Sequence, residues 1–278
     1  MTSLDWSHQA ERLKQEAEFE LPWLAQAVNW LAALQPEPGH IVDLGAGPGI
    51  ATSILARRNP TARVTAIDAT ADFAPLIMQR AVELGVADRV SSVTATLGTD
   101  NLDLLPADLL WASRVLHHLP DPVVGLRELK PLVAEGGIIA LIEGGLPLRI
   151  LPGGYGVSSP SFPAHLDAAM QDHGDDQWGL THAATGGDAD WPVSLYQAGF
   201  TPVQSKTFLL EYRAPIHGDV RDYLHDHFSR IAHQASDRLS RDDARALERL
   251  IDPDDPAGIL RRADVFALSA STVHVARH

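Results

Sequence analysis

An α/β fold with a doubly wound, mostly parallel sheet is what this sequence predicts, on three observations. Short apolar runs alternate with stretches of helical periodicity between His40 and Glu143. The first run, Ile41-Val42, leads directly into Asp43-Leu44-Gly45-Ala46-Gly47-Pro48-Gly49. A second run closes on Asp68, nineteen residues past Gly49. Glycines allow a tight turn and close backbone approach, and an acid at the end of the next strand can hold ribose hydroxyls. Together they predict a nucleoside-binding turn at the carboxyl edge of a parallel sheet.

The elements follow in order. Residues 4–34 carry apolar positions at helical spacing with a break around Pro22, and Gln35-Pro36-Glu37-Pro38-Gly39 ends them as a linker. Strands are expected over 40–44, 63–67, 89–95, 107–113 and 137–143, with helices over 49–58, 72–84 and 121–133 between them. Strand–helix alternation with short connections implies parallel pairing. Ligands of such a sheet bind beyond the carboxyl ends of its strands, at the topological switch point. After Gly144 the pattern changes to a stretch rich in Gly, Pro, Asp and Ser, with one helix expected over 161–172. Helix and strand signals resume in WPVSLYQAGF and TPVQSKTFLLEY.

Composition narrows the function. The 278 residues are 45% hydrophobic, enough for a substantial core, and the mean hydropathy is -0.06. No run approaches the roughly 18 apolar residues that span a membrane. The N-terminus shows neither a basic start nor a continuous apolar stretch, so no secretory signal is expected and the cytosol is the simplest compartment. The absence of cysteine excludes disulfides, thiolate metal sites and a cysteine nucleophile. A net charge of -14 argues against a nonspecific grip on nucleic acid and favours a small-molecule substrate. A homodimer is left open.

The turn itself selects among nucleoside ligands. A dinucleotide fingerprint needs its last glycine one place later, where this chain has Ile50. Asp43, two residues before the first glycine, is badly placed for a pyrophosphate but suits a ligand carrying a cation, such as an amino acid joined to adenosine. That description fits S-adenosylmethionine (SAM). IVDLGAGPG, VTAIDA ending in Asp68, ADLLWASRVLHHLPD and LKPLVAEGGIIALIEGG, in this order, resemble the successive motifs of class I SAM-dependent methyltransferases. The resemblance covers residues 37–147 well and extends loosely into 191–211.

The resemblance implies a Rossmann-like sheet of about seven strands with an antiparallel last strand, its final pair falling at 202–211 and 264–276. Between these lies a helical insertion at 214–262. The expected division is an N-terminal helical cap at 1–36, a SAM-binding core at 37–147, a lid at 148–190, and the C-terminal part of the sheet with its insertion at 191–278. The N-terminal helices, the excursion and the insertion converge as a substrate cap, or else cover an exposed sheet edge.

The cofactor residues expected are Gly45, Gly47 and Gly49, whose amides approach the ligand, and Asp43, which favours the methionine ammonium or alternatively caps amides of the turn. Asp68, with Ala69 beside it, accepts from the ribose. The resemblance puts Thr96 and Leu97 near the adenine, where relatives often place an acid. Asp100 falls a few residues late for that position. Ala112 and Ser113 match the position that lies against the methionine portion. No metal is expected. Methyl transfer, yielding S-adenosyl-L-homocysteine, is an in-line displacement in which the protein mainly aligns the nucleophile and excludes water.

A hydroxyl acceptor must also lose a proton, which makes His117 and His118, just past the fourth strand, the candidate general bases. Neighbouring residues in an extended segment point to opposite sides, so one at most serves, and a purely structural part is the alternative. Arg114 could pair with a substrate carboxylate or with an acid of the cap. His165, His173 and His182 lie among Asp172, Asp175 and Asp176 but match no compact ligand spacing. The expected activity is methyl transfer to a small organic acceptor, with oxygen as the nucleophile, in secondary metabolism. Its rivals are a SAM-binding enzyme catalysing cyclisation, elimination or rearrangement, and a non-catalytic SAM-binding protein.

Overall fold

The computed structural model describes residues 6–97, 100, 102, 104–119, 121–178, 190–235 and 237–278. The apolar runs of the first half become parallel strands: β1 (His40–Leu44), β2 (Arg63–Asp68), β3 (Val90–Thr94) and β4 (Ala107–Ser113). Ile41 and Val42 of β1 and Leu110 and Trp111 of β4 are buried without alternation, the pattern of strands covered on both faces. The helices over this half are α1 (Trp6–Phe19), α2 (Leu21–Leu34), α3 (Ile50–Arg58), α4 (Phe73–Glu83) and α5 (Pro122–Leu129). Asp121 starts α5 by accepting from the amides of Val123 and Val124, with Pro122 in the first turn where its missing N–H costs nothing.

Three elements depart from the expected bounds, one of them the helix expected over 161–172, which runs from Phe162 to Trp178 with no proline inside its later turns to end it. The helix expected over 121–133 stops at Leu129 and tightens into a 3₁₀ turn at Lys130–Leu132, because Pro131 cannot donate the next helical bond. The strand expected over 137–143 runs from Val133 to Arg149 as β5. Its early start is possible because Gly136 takes a φ of 77° and donates to His278, while His278 donates back to Gly137.

The remaining elements are α6 (Phe162–Trp178), α7 (Trp191–Gln197), β6 (Val203–Tyr212), α8 (Asp219–Ala235), α9 (Arg241–Ile251) and β7 (Ala267–Arg277). The sheet has seven strands in the order β3-β2-β1-β4-β5-β7-β6. Pairing of β1 with β2 and β4, of β2 with β3, and of β4 with β5 is parallel. The last strand, β7, is inserted between β5 and β6 and runs antiparallel. Ser205 meets His274 and Thr207 meets Thr272, so numbering rises on one strand as it falls on the other. The strand order reverses between β1 and β4, which makes their carboxyl ends the switch point.

The chain divides into two compact units. The first comprises Met1–Gly144, Ala184–Phe208 and Ser271–His278. Its core joins strand residues such as Leu110 and Leu141 to Leu126 of α5 and Trp191 and Leu195 of α7. The amphipathic α2 buries Trp23, Leu24, Ala27, Val28 and Leu31. Arg277 satisfies the orphan carbonyl of Leu34 at the end of that helix (2.7 Å) and binds Gly136 O on β5 (2.9 Å).

The second unit comprises Gly145–Ala183 and Leu209–Ala270 and contains α6, α8 and α9. Tyr155 lies at its centre, edge-on to Phe162 and Phe228 at 5.6 and 6.0 Å, and burial pushes its hydroxyl up to about 12. Arg149 holds Asp167 through its two terminal guanidinium nitrogens, and Arg262 donates to Tyr155 O. Among the described residues no helix is long and apolar enough to cross a membrane.

Leu110 is fully buried in β4 between β1 and β5, so Leu110→Ala is expected to cost about 2–5 kcal/mol of unfolding free energy in urea titrations. Val82→Ala on the outer face of α4, where the side chain is 67% exposed, should change it by less than about 0.5 kcal/mol.

Candidate functional site

At the end of β1 the chain reverses within a few residues. Gly45 and Ala46 both donate to Ile67 O (2.8 and 2.9 Å), which fastens the turn to β2. Gly45, Gly47 and Gly49 adopt φ values of 69°, 51° and 81°, a region that strains any residue with a Cβ. Their surroundings differ. A Cβ on Gly45 would lie 2.2 Å from Val115 Cγ2, and one on Gly49 would meet the Ile77 backbone at 3.0 Å. One on Gly47 would meet nothing within 4 Å. The outer glycines are required by packing, and the middle one borders open space. Gly49 also begins α3, so the free amides of a helix N-terminus follow the turn.

Two acids flank this turn in different ways. Asp68, partly exposed at the end of β2, accepts from Gly47 N (2.8 Å) through Oδ2 and from Thr70 N (2.9 Å) through Oδ1. Each carboxylate oxygen has a second acceptor site, so a ligand diol can still be bound. Ala69, next to it, is exposed. Asp43 is only 1% exposed, and its side chain accepts from the Thr52 hydroxyl of α3 at 2.5 Å. Burial, with Thr52 pulling the other way and Asp68 adding its charge, pushes the Asp43 carboxyl up to about 7. The carboxyl thus stays enclosed at the end of β1, bonded to α3.

Past β3, Thr96 is exposed and Leu97 packs partly on the core. Asp100 accepts from Thr96 N (2.8 Å), so these two alternatives for the adenine contact belong to one small loop. At the end of β4, Ala112 is fully buried and Ser113 partly exposed. Arg114 follows at a φ of 55° and pairs with Glu16 (3.1 Å) and Glu20, the acid-pairing alternative. Burial raises the Glu20 carboxyl, against the opposing effect of Arg114.

His117 and His118 fall in a 3₁₀ turn at Leu116–His118; the side chain of His118 lies outside the described residues. His117 is one-third exposed, and its Nδ1 is 3.0 Å from Glu143 Oε2. Glu143, 5% exposed on β5, also accepts from Val115 N (3.1 Å) and Leu116 N (3.0 Å) through Oε1. This acid is not among the site residues the sequence predicts. The signal was an acid inside the apolar run Ile138–Ile142 and Gly144, a charge that burial tolerates only with partners.

Elsewhere, His165 bonds the buried Asp243 through Nδ1 (2.9 Å), together with Ser240 and Ser158. The side chains of His173, Asp172, Asp175 and Asp176, and all of His182, lie outside the described residues.

Residues 42–139 match the family described as "Methyltransferase domain". An uncharacterised protein of Synechococcus sp. is 40% identical over 102 residues, which are 36% of this chain and 24% of that one. A trans-aconitate 2-methyltransferase of Afipia carboxidovorans is 31% identical over 139 residues, 49% of either chain. The chain thus spans about half or less of the length of these curated relatives. Among solved structures, the YcgJ protein from Bacillus subtilis superposes with a TM-score of 0.52 at 16% identity, covering 91% of this chain and 98% of that one, a likeness of fold.

The Asp43 environment has a consequence for stability. Its carboxyl keeps a proton up to about 7 when folded but gives it up from 3.8 when unfolded. This group therefore removes stability progressively as pH rises between those values, and the loss is complete above the higher one. Asp43→Asn, which keeps an acceptor for Thr52, is expected to be more stable than the parent by roughly 1–4 kcal/mol near pH 8 and equal to it near pH 4. Unfolding curves across that range check this, and a difference independent of pH would contradict it.

Proposed function

We propose, on the premise that residues 42–139 are a methyltransferase domain of the class I, SAM-dependent type, that the chain transfers the methyl group of SAM to a small organic acceptor. The observation that carries this reading is the pairing of acids at the glycine turn. Asp68 is fastened to the turn with acceptor sites to spare, and Asp43 is buried beneath it. A diol and a cation are what such a pair attracts, and a pyrophosphate is what it repels. Gly47, with open space beside it, permits close approach of the ligand to the backbone.

In this reading the glycine turn and Asp43 take the methionine end with Ala112 and Ser113, Asp68 and Ala69 the ribose, and the loop of Thr96, Leu97 and Asp100 the adenine. When bound, SAM supplies a methyl group on a sulfonium, which needs no further activation. The chain's part is to orient the acceptor, exclude water and remove a proton. For a hydroxyl acceptor His117, or His118 beside it, accepts that proton. The acceptor is assigned to small organic molecules carrying an oxygen nucleophile, within secondary metabolism and the cytoplasm. The relatives named for trans-aconitate, itself a small organic acid, support the size class.

Isotope-labelled SAM, offered with a panel of phenols, aliphatic alcohols and carboxylic acids that includes trans-aconitate, tests the reaction. Label is expected on a panel member, and S-adenosyl-L-homocysteine should accumulate. Turnover that needs SAM but leaves the label on it would replace transfer with another reaction. Saturation by a nicotinamide nucleotide, with no heat from SAM, would overturn the cofactor assignment.

Cofactor binding should also carry a proton signature. A cation above Asp43 lowers the pKa of its carboxyl, so binding releases a proton and the association constant rises with pH up to about 7, then levels. Calorimetry of S-adenosyl-L-homocysteine in two buffers of different ionisation enthalpy measures this release, which Asp43→Asn should abolish.

A further inference from the structure

We propose that Glu143 is a positioning residue that fixes the tautomer of His117 and thereby makes Nε2 the atom that accepts the substrate proton. The inference rests on the methyl-transfer reading above and assigns a function to a residue outside it. Glu143 reaches from the end of β5 to the turn after β4 and uses its two oxygens for different tasks. Oε1 takes the amides of Val115 and Leu116, which would otherwise open the 3₁₀ turn with unpaired donors. Oε2 takes His117 Nδ1 at 3.0 Å. A carboxylate only accepts, so Nδ1 must carry the hydrogen of this bond, and in the neutral ring Nε2 then bears the lone pair. Once Nε2 accepts a proton, the buried carboxylate stabilises the imidazolium without moving.

The same side chain therefore sets the turn that carries the imidazole and the nitrogen that acts. Other titratable groups nearby do not substitute for it. His274 on β7 faces Glu143, but burial lowers its pKa and its Nδ1 is 2.7 Å from Ser205 Oγ. Asp190, ahead of α7, adds negative charge on the His274 side. Arg114 belongs to Glu16 and Glu20 on the other flank.

Glu143→Gln separates positioning from simple fastening. The amide oxygen can still receive Val115 N and Leu116 N, so the turn persists. The amide NH2 facing His117 can only donate, which forces Nδ1 to accept and moves the hydrogen to Nε2. The readout is the nitrogen chemical shifts of isotope-labelled histidine, with His117→Gln used to assign the signal. With the imidazole neutral, Nε2 should give the unprotonated shift in the parent protein and the protonated one in Glu143→Gln.

Methyl transfer to a phenol or alcohol of the panel should fall roughly 10²–10⁴-fold in kcat with KM little changed, as expected when a base is held in the wrong tautomer. The acid limb of the kcat profile should move to lower pH. A parent protein whose neutral His117 carries the hydrogen on Nε2 overturns the proposal, and this result needs no acceptor. Unchanged kcat in Glu143→Gln alongside a large loss in His117→Gln overturns it as well. A parent Nε2 that is unprotonated, with kcat unaffected by His117→Gln, would retain the tautomer assignment and instead defeat the general-base reading.

Discussion

Carboxylates that accept backbone N–H groups hold the carboxyl edge of this sheet together. Chain that leaves a parallel strand must turn, and its amides lose their strand partners at the moment they leave water. Asp68 supplies acceptors for Gly47 and Thr70, and Glu143 does so for Val115 and Leu116. An unpaired buried amide costs roughly 1–3 kcal/mol, so these bonds determine which loop conformations survive. The two loops are also packed on each other, since only a glycine at position 45 leaves room for Val115. The glycine turn and the histidine turn are thus in contact at Gly45 and Val115.

The electrostatics of that edge follow from how each acid is buried. Asp68 stays partly exposed with its oxygens directed at backbone donors, whereas Asp43 is enclosed and accepts from the Thr52 hydroxyl. An enclosed acid without a cation is unfavourable in the resting protein. On the reading proposed above, a cation bound over the turn would offset that cost.

The second unit uses comparable devices for different ends. The His165–Asp243 pair, joined by Ser240 and Ser158, ties α6 to the start of α9, and the arginines at 149 and 262 tie the chain around Tyr155. Side-chain hydrogen bonds hold Asp243 below the usual carboxylate range despite its burial. His165, singled out in the sequence beside several acids, is therefore committed to an acid distant in the chain, where local spacing gave no indication of it.

Local information was enough to determine the strand–helix alternation, the glycine turn after Ile41-Val42, the acid at 68 and the Asp121 cap, because periodicity, positive φ and capping are properties of a few neighbouring residues. The pair of strands at 202–211 and 264–276 came instead from the resemblance to a family. Tertiary structure alone decided that β7 lies between β5 and β6, that Arg114 is engaged by Glu16 and Glu20, and that Glu143 serves His117. The side-chain partners are 26 to 98 positions apart in the chain. A buried charge announces in the sequence that it needs a partner, but which one it finds is set only when the sheet brings distant strand ends together.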